Sequence, residues 1–185
     1  MNNKNSLQVL LEFTSCLNDS YFLCYGTCLG ALREGNFIKH DLDIDIGIMR
    51  GDFKLEYINS IIEKGFKLIR LYGSLECGLE FSFRKNGVKV DLMVYYQIGR
   101  TIYNCLWDNG GINGLSDMIV HSYNVKLFNI QQLEICGVSF YSLGLEYIKS
   151  VYGEKWKKPI TSWNWRTDHL CHDYPLKLKL KQLYG

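Results

Sequence analysis

The stretch from Asp41 to Ile48 alternates strictly between acidic and apolar residues over its first six positions. Side chains of a β-strand point alternately to the two faces of a sheet, so this period of two predicts a strand over the whole stretch. Asp41, Asp43 and Asp45 would then share one face, while Leu42 and the isoleucines point the other way, into the core. Any fold of this chain must bury one face of the strand and leave concentrated negative charge on the other.

The run from Val88 to Leu92 has the same alternation and follows Asn86-Gly87, a strong signal for a hairpin turn. If this strand pairs near the first one, Asp91 joins Asp43 and Asp45. Three converging carboxylates repel one another unless a cation lies between them, and magnesium or manganese prefers such oxygen ligands. We predict that these aspartates are catalytic and bind two Mg²⁺ or Mn²⁺ ions, which suits in-line displacement at phosphorus. The alternative is the solvated face of an edge strand.

A glycine and a threonine, Gly26 and Thr27, follow the apolar run from Tyr21 to Tyr25, which predicts a short buried strand. They open a predicted helix over Cys28 to Glu34. Free backbone N–H groups at such a helix start can bind phosphate oxygens, so we predict that both residues contact a phosphorylated substrate. The alternative is an ordinary strand-to-helix turn with a threonine cap.

Four further residues near this turn are candidates for substrate or nucleotide binding. Arg33 and Lys39 would offset negative charge on a leaving nucleotide. His40 would reach a phosphate or an acceptor hydroxyl, and Asp41 would bind a metal-bound water. Each has a plainer alternative, namely a solvated charge or a hydrogen-bonded structural histidine.

The remaining sequence predicts helices interleaved with an antiparallel or mixed sheet, and therefore the α+β (mixed α/β) class. No repeat or linker divides the chain, so we expect one domain over residues 1–185. The predicted helices include one capped by Ser6, one over about Phe53 to Lys64, and one over Leu145–Tyr152. The other predicted segments are strands at Phe66–Leu71, Leu79–Arg84, Val88–Tyr96 and Thr101–Leu106, a loop at Asp108–Ser116 and a hairpin within Leu133–Tyr141.

Composition excludes several classes of protein. The formal net charge is +2, and this balance gives no sign of nucleic-acid binding driven by bulk electrostatics. No uncharged apolar stretch is long enough to cross a bilayer, and the polar N-terminus lacks the apolar run of a secretory signal. The seven cysteines are scattered and form no Cys-x-x-Cys pair. We therefore expect a reduced, cytoplasmic protein.

The C-terminal tail carries side chains whose roles the sequence leaves open. Three of them either stack on a base or a sugar or simply close the fold: Trp163, Trp165 and Arg166. Three others are soft-metal ligands, but their spacing is not that of a common closed zinc site: His169, Cys171 and His172. The last basic residues alternate with leucines and predict an edge strand or a peripheral contact with acidic lipid: Lys177, Lys179 and Lys181.

Taken together, these motifs resemble the LicD/fukutin family. The resemblance is carried by Gly26 to Arg33, Gly35 to Ile38, His40 to Gly47, Val88 to Asp91 and the later Tyr147 to Pro159. It therefore extends over most of the chain, from about residue 21 to residue 159.

The chain departs from the family pattern at three positions close to the acidic run. Lys39 stands where the family has proline, His40 where it has tryptophan, and Leu42 where it has the middle aspartate. Since Leu42 is expected to point inward, its replacement spares the metal ligands. Lys39 and His40 change the phosphate side of the site.

The resemblance implies a nucleotidyltransferase-like fold, a small mixed sheet flanked by helices. It also implies transfer of a phosphorylated alcohol, such as phosphocholine, ribitol phosphate or glycerol phosphate, from a CDP-linked donor to a glycan or lipid-linked glycan, with release of CMP. Such an enzyme would act in the cytoplasm or at the inner face of the membrane. Two alternatives stay open: a nucleotidyltransferase that keeps the nucleoside monophosphate on the acceptor, and a non-catalytic nucleotide-binding module.

Overall fold

The computed structural model describes residues 3–108 and 111–184 and shows an α+β fold, as the sequence predicts. The helices in this part are α1 (Asn3–Thr14), α2 (Tyr25–Glu34), α3 (Leu55–Glu63), α4 (Leu145–Tyr152) and α5 (Tyr174–Tyr184). The strands are β1 (Phe22–Leu23), β2 (Asp43–Met49), β3 (Lys67–Tyr72), β4 (Glu80–Lys85), β5 (Val88–Ile98), β6 (Thr101–Trp107), β7 (Met118–Asn124), β8 (Ile130–Ile135) and β9 (Val138–Leu143).

The strands form a mixed sheet in the order β3-β4-β5-β2-β1-β9-β8, and β6 and β7 continue from the far end of β5. Strands β2 and β5 run parallel at its centre, with Asp45 opposite Asp91. Parallel strands need a long crossover connection, and here it consists of α3 and the antiparallel strands β3 and β4. This pairing joins the two acidic runs of the sequence.

The apolar core lies against both faces of the central strands. On β2 the side chains of Ile44, Ile46 and Ile48 are fully buried, as the alternation predicts. Helix α2 packs against β2 and α4. Nearly every residue of β5 from Val88 to Tyr96 is buried, which is typical of a strand covered on both sides. The two central strands therefore carry Asp43, Asp45 and Asp91.

Most of the predicted helices and strands are confirmed, although their first or last residues differ from the prediction. The hairpin turn at Asn86-Gly87 joins β4 and β5, and both residues have the positive φ angles that a tight hairpin turn needs. Helix α4 has the predicted bounds. The predicted strand from Tyr21 to Tyr25 is shorter, since Tyr25 already opens α2. Within the predicted loop Asp108–Ser116, positions 109–110 lie outside the described residues.

Three sequence expectations are wrong. Leu42 precedes β2 and is 82% exposed, so strand alternation does not bury it. Ser6 is buried inside α1, which starts earlier, and is not its cap. The alternating lysines and leucines after Tyr174 form helix α5 rather than an edge strand. Among the described residues, no helix is both long and apolar enough to cross a membrane.

Gly47 allows the closest packing in the core, and this leads to a test of the fold. A Cβ atom at Gly47 would lie 2.2 Å from Cε2 of Phe22 and 2.8 Å from Cε2 of Tyr95. We expect Gly47→Ala to lower the free energy of unfolding by about 1–3 kcal/mol because the two rings must shift. Urea denaturation measures this change. Gly51→Ala is the matched control, since nothing lies within 4 Å of its Cβ position, and equal losses in both variants would contradict the packing argument.

Candidate active site

Three aspartates converge at the start of β2. Carboxylate oxygens of Asp41, Asp43 and Asp45 all lie within 4.8 Å of one another. Asp43 and Asp45 are on the strand and share its face, whereas Asp41 lies in the preceding loop. Its side chain reaches the others through the loop, not through strand alternation. The result is a compact, half-buried acidic cluster.

Asp91 lies beside this cluster because β5 runs parallel to β2. Its register partner on β2 is Asp45, so the two side chains leave neighbouring strands on the same face. Asp91 is buried, and Ser82 on β4 donates a hydrogen bond to its Oδ1 at 2.6 Å. The structure therefore brings the three predicted metal ligands to one place, with Asp41 as a fourth carboxylate.

Lys89 supplies the counter-charge. Its Nζ lies 2.6 Å from Oδ2 of Asp91 and 3.1 Å from Oδ2 of Asp43. Burial lowers the pKa of Lys89, but the two carboxylates outweigh this effect and raise the pKa above its ordinary value. The ammonium group thus stays protonated and bridges the two strands. Sequence reasoning did not select Lys89, although it is two residues from Asp91 and must share its face.

The remaining negative charge is only partly compensated. Burial, and then the charge of Asp43, raises the pKa of Asp41 to about 7. Burial and the charges of Asp43 and Asp41 also raise the pKa of Asp45 well above its ordinary value. Partly buried oxygen ligands that are difficult to ionise suit a hard divalent cation, which would favour their charged forms. The donor set therefore fits Mg²⁺ or Mn²⁺.

The turn at Gly26 and Thr27 holds the acidic cluster in place. The Gly26 N–H donates to Oδ2 of Asp45 at 3.0 Å, and the Asp45 N–H donates to Oγ1 of Thr27 at 2.8 Å. A Cβ atom on Gly26 would lie 2.3 Å from Oδ2 of Asp41, so only glycine allows this approach. The Gly26 N–H thus donates to a carboxylate, whereas the sequence predicted that this N–H group would be free to bind a phosphate oxygen.

A cleft of about 930 Å³ opens above the cluster. Thr27 is buried beneath its floor, and Lys39 is exposed outside its lining. Arg33 reaches the cleft, but its guanidinium is paired with Glu34 at 2.7 Å. The other predicted site residues also line the cleft: Gly26, His40, Asp41, Asp43, Asp45 and Asp91.

Aromatic side chains from the end of α4 and from the C-terminal tail form an aromatic wall of this cleft. The rings of Tyr152 and Trp163 lie 4.9 Å apart between centroids, and the Arg166 guanidinium lies 4.4 Å above the ring of Trp165. The Trp163 Nε1 group is buried and has no hydrogen-bond partner among the described residues. Trp163, Trp165 and Arg166 line the cleft, while Trp163 also packs on His169 and Arg166 pairs with Asp108, so both roles that the sequence allowed stay open.

Glu80 is a cleft residue that sequence reasoning missed. It is 8% exposed on β4, and its Oε2 atom has no hydrogen-bond partner in the described part of the chain. Burial, and then the charge of Asp91, raises its pKa to about 8. Its position opposite Met93 on β5 follows from strand pairing, which the sequence alone did not reveal.

Comparison with known proteins places this site in a family. The sequence model described as LicD/FKTN/FKRP, nucleotidyltransferase domain, matches residues 18–141, which include all four aspartates and Lys89. The chain belongs to this family. It is 31% identical over 167 residues to the ribitol-5-phosphate transferase FKTN of Mus musculus, covering 89% of this chain and 35% of the mouse protein. The Homo sapiens protein of the same name is 31% identical over 173 residues, covering 88% and 35%.

The chain therefore spans about a third of the length of these LicD-family relatives. The family match ends before the aromatic wall, at residue 141. The acidic floor of the cleft thus lies within the matched region, whereas the wall is built by residues that follow it.

The buried carboxyl group of Glu80 predicts a pH dependence of stability. The folded chain holds this proton up to about pH 8, whereas an ordinary glutamate releases it near 4.5. Between these values the unfolded state binds fewer protons, so Glu80 makes the protein less stable as the pH rises. We expect Glu80→Gln to become progressively more stable, relative to the wild type, from pH 5 to pH 8.

Urea midpoints measured at several pH values with a metal chelator present would show this trend. The exposed Glu134→Gln serves as the control and should follow the wild type throughout. A constant difference between Glu80→Gln and the wild type across this range would contradict a buried, protonated Glu80.

Proposed function

We propose that this protein transfers a phosphorylated alcohol, such as ribitol phosphate, glycerol phosphate or phosphocholine, from a CDP-linked donor to a glycan hydroxyl, with release of CMP. The observation that carries the proposal is one cleft lined both by four aspartates and by an aromatic wall. Its volume is in the range of sites for nucleotide-sized ligands. Family membership and the ribitol-5-phosphate transferase activity in the relatives' name support the same class of reaction.

We further propose that Asp43, Asp45 and Asp91 bind Mg²⁺ or Mn²⁺, with Asp41 next to them. When bound, the ions would neutralise the pyrophosphate and stabilise the charge that develops on the leaving group. Lys89 then has two functions. It holds Asp43 and Asp91 together in the free protein, and it keeps a positive charge beside the phosphates in the complex.

The acceptor hydroxyl attacks the phosphorus that carries the alcohol. A new P–O bond forms to the acceptor, the bond to the bridging oxygen breaks, and CMP leaves with the electron pair. Asp91 is our choice for helping to deprotonate the hydroxyl, either directly or by holding a cation that would activate it, because it is buried at the floor of the cleft and its pKa is raised by burial. Its Oδ2 is paired with Lys89, so this role requires Lys89 to move towards the phosphates.

We propose a donor orientation with the cytosine ring on the aromatic side of the cleft. Trp163 and Trp165 line the cleft and offer stacking surfaces for this ring. The phosphates then lie over the aspartates, near Arg33 and His40. The reverse orientation would expose the phosphorus next to the nucleoside and make the protein a nucleotidyltransferase. A nucleotide-binding module without turnover is the third possibility, and the intact acidic cluster argues against it.

The identity of the acceptor and the cellular location of the reaction are also proposals. We propose a glycan or lipid-linked glycan acceptor at the inner face of the membrane. Helix α5 carries Lys177, Lys179 and Lys181, which can contact acidic lipid at the periphery of the membrane.

Product analysis tests the direction of transfer. The protein is incubated with Mn²⁺ and CDP-ribitol, CDP-glycerol or CDP-choline labelled in the alcohol, together with glycan acceptors, and products are identified by mass spectrometry. Label on the acceptor together with free CMP supports the proposal. Nucleoside monophosphate on the acceptor identifies a nucleotidyltransferase, and the absence of any turnover with bound nucleotide identifies a binding module.

Removing two carboxylates tests the metal site. We expect Asp43→Asn combined with Asp45→Asn to lower the transfer rate by about 10³-fold, because the ligands for the cations are lost. The rise in melting temperature that Mn²⁺ produces in the wild type should also disappear. The exposed Asp52→Asn is the control and should keep both properties. A full Mn²⁺ shift in the double variant would show that the ions bind elsewhere.

A further inference from the structure

A second cluster of metal-ligating side chains lies in the core, apart from the aspartates. His121 belongs to β7, and His169 and Cys171 belong to the segment between α4 and α5. All three are buried, with exposed fractions of 0%, 5% and 7%. One ligand atom from each lies within 4.8 Å of the other two. The sequence suggested His169, Cys171 and His172 instead, but His172 is exposed and outside this group.

Backbone hydrogen bonds bring the tail segment to β7. The Ser122 N–H donates to the Cys171 carbonyl at 2.9 Å, and the Asp173 N–H donates to the Val120 carbonyl at 2.8 Å. These bonds flank an antiparallel bridge between His121 and His172. The tail is thus aligned along β7 like a short additional strand, and this alignment sets Cys171 beside His121.

The Tyr25 hydroxyl lies next to His121, at 2.8 Å from its Nδ1, and also contacts Oδ1 of Asn104 at 2.9 Å and the Tyr123 hydroxyl at 3.0 Å. If Nδ1 of His121 donates to Tyr25, its Nε2 is free of a proton and can act as a ligand. This Nε2 lies 3.4 Å from Nδ1 of His169. A ligating histidine held by a hydrogen bond from its other nitrogen is the usual arrangement at zinc sites.

We propose that Nε2 of His121, Nδ1 of His169 and Sγ of Cys171 bind a zinc ion. Two nitrogens that are each about 2.0–2.1 Å from a tetrahedral zinc ion lie about 3.3 Å apart, which is close to the separation of the two histidines. Zinc binds the thiolate, so Cys171 releases its thiol proton to solvent when the ion enters. The Tyr123 hydroxyl, 3.4 Å from the sulfur, can then donate to it.

The proposed ion ties the tail to the sheet next to the active cleft. The ring of Tyr25 stacks on His169 with centroids 5.2 Å apart, and Tyr25 directly precedes Gly26. His169 also lines the cleft, from which a water molecule can complete the fourth position. The zinc ion therefore fixes the aromatic wall relative to the aspartates without contacting them.

The test begins with the whole wild-type chain. We expect about one zinc ion per chain by elemental analysis, and addition of cobalt to the chelated protein should give a thiolate-to-cobalt charge-transfer band in the near ultraviolet. Zinc at about 100 times its dissociation constant should raise the melting temperature by about 5–10 °C. A folded wild type that binds no zinc, or binds cobalt without this band, would show that the histidines only share a hydrogen bond.

Matched variants assign the ligands. Cys171→Ser and His169→Gln should each lose the cobalt band, whereas Cys136→Ser should keep it, since Cys136 is exposed and outside the cluster. An undiminished band in Cys171→Ser, or its loss in Cys136→Ser, overturns the ligand set. The band should persist in the Asp43→Asn, Asp45→Asn double variant, so this result is independent of the proposed transfer reaction.

Discussion

The parallel pairing of β2 with β5 brings the acidic groups of two distant segments into one partly buried cleft, and their mutual repulsion governs the rest of the site. Three local features reduce it. Lys89 bridges two carboxylates, Ser82 donates to Asp91, and the turn at Gly26 and Thr27 holds Asp45 by its side chain and backbone. Even so, the pKa of Asp41 remains raised by burial and by Asp43. The negative charge of the cluster is thus only partly neutralised in the free protein. The proposed substrate complex would supply the missing positive charge.

Local periodicity predicted only part of the acidic floor, since Asp41 reaches it from a loop and Asp91 through the pairing of β5 with β2. Strand alternation placed Asp43 and Asp45 together, and the same rule applied to β5 would have selected Lys89 beside Asp91. The rule failed where the strand had not yet begun, since Leu42 lies in a loop and is exposed. It also failed for α5, because alternating lysines and leucines suit a helix when one of them, Leu180, packs into the core.

The rest of the site could not be predicted, because it depends on pairing between segments that are distant in the sequence. Glu80 reaches the cleft only through the pairing of β4 with β5, and His121 reaches Cys171 only because the tail lies along β7. Neither position has a local pattern that marks it. The tail sequence offered His169, Cys171 and His172 as potential ligands, but it could not show that His121, 48 residues away from His169, lies beside the first two.

The floor and the wall of the cleft come from different parts of the chain. The floor is set by strand register in the centre of the sheet, where a substitution disturbs packing on both faces. The wall is set by side chains on an irregular tail that touches the sheet along β7. A substitution on the exposed part of the tail can therefore change the shape of the cleft while the carboxylates keep their positions. One at His169 or Cys171 would disturb the core as well, since both side chains are buried.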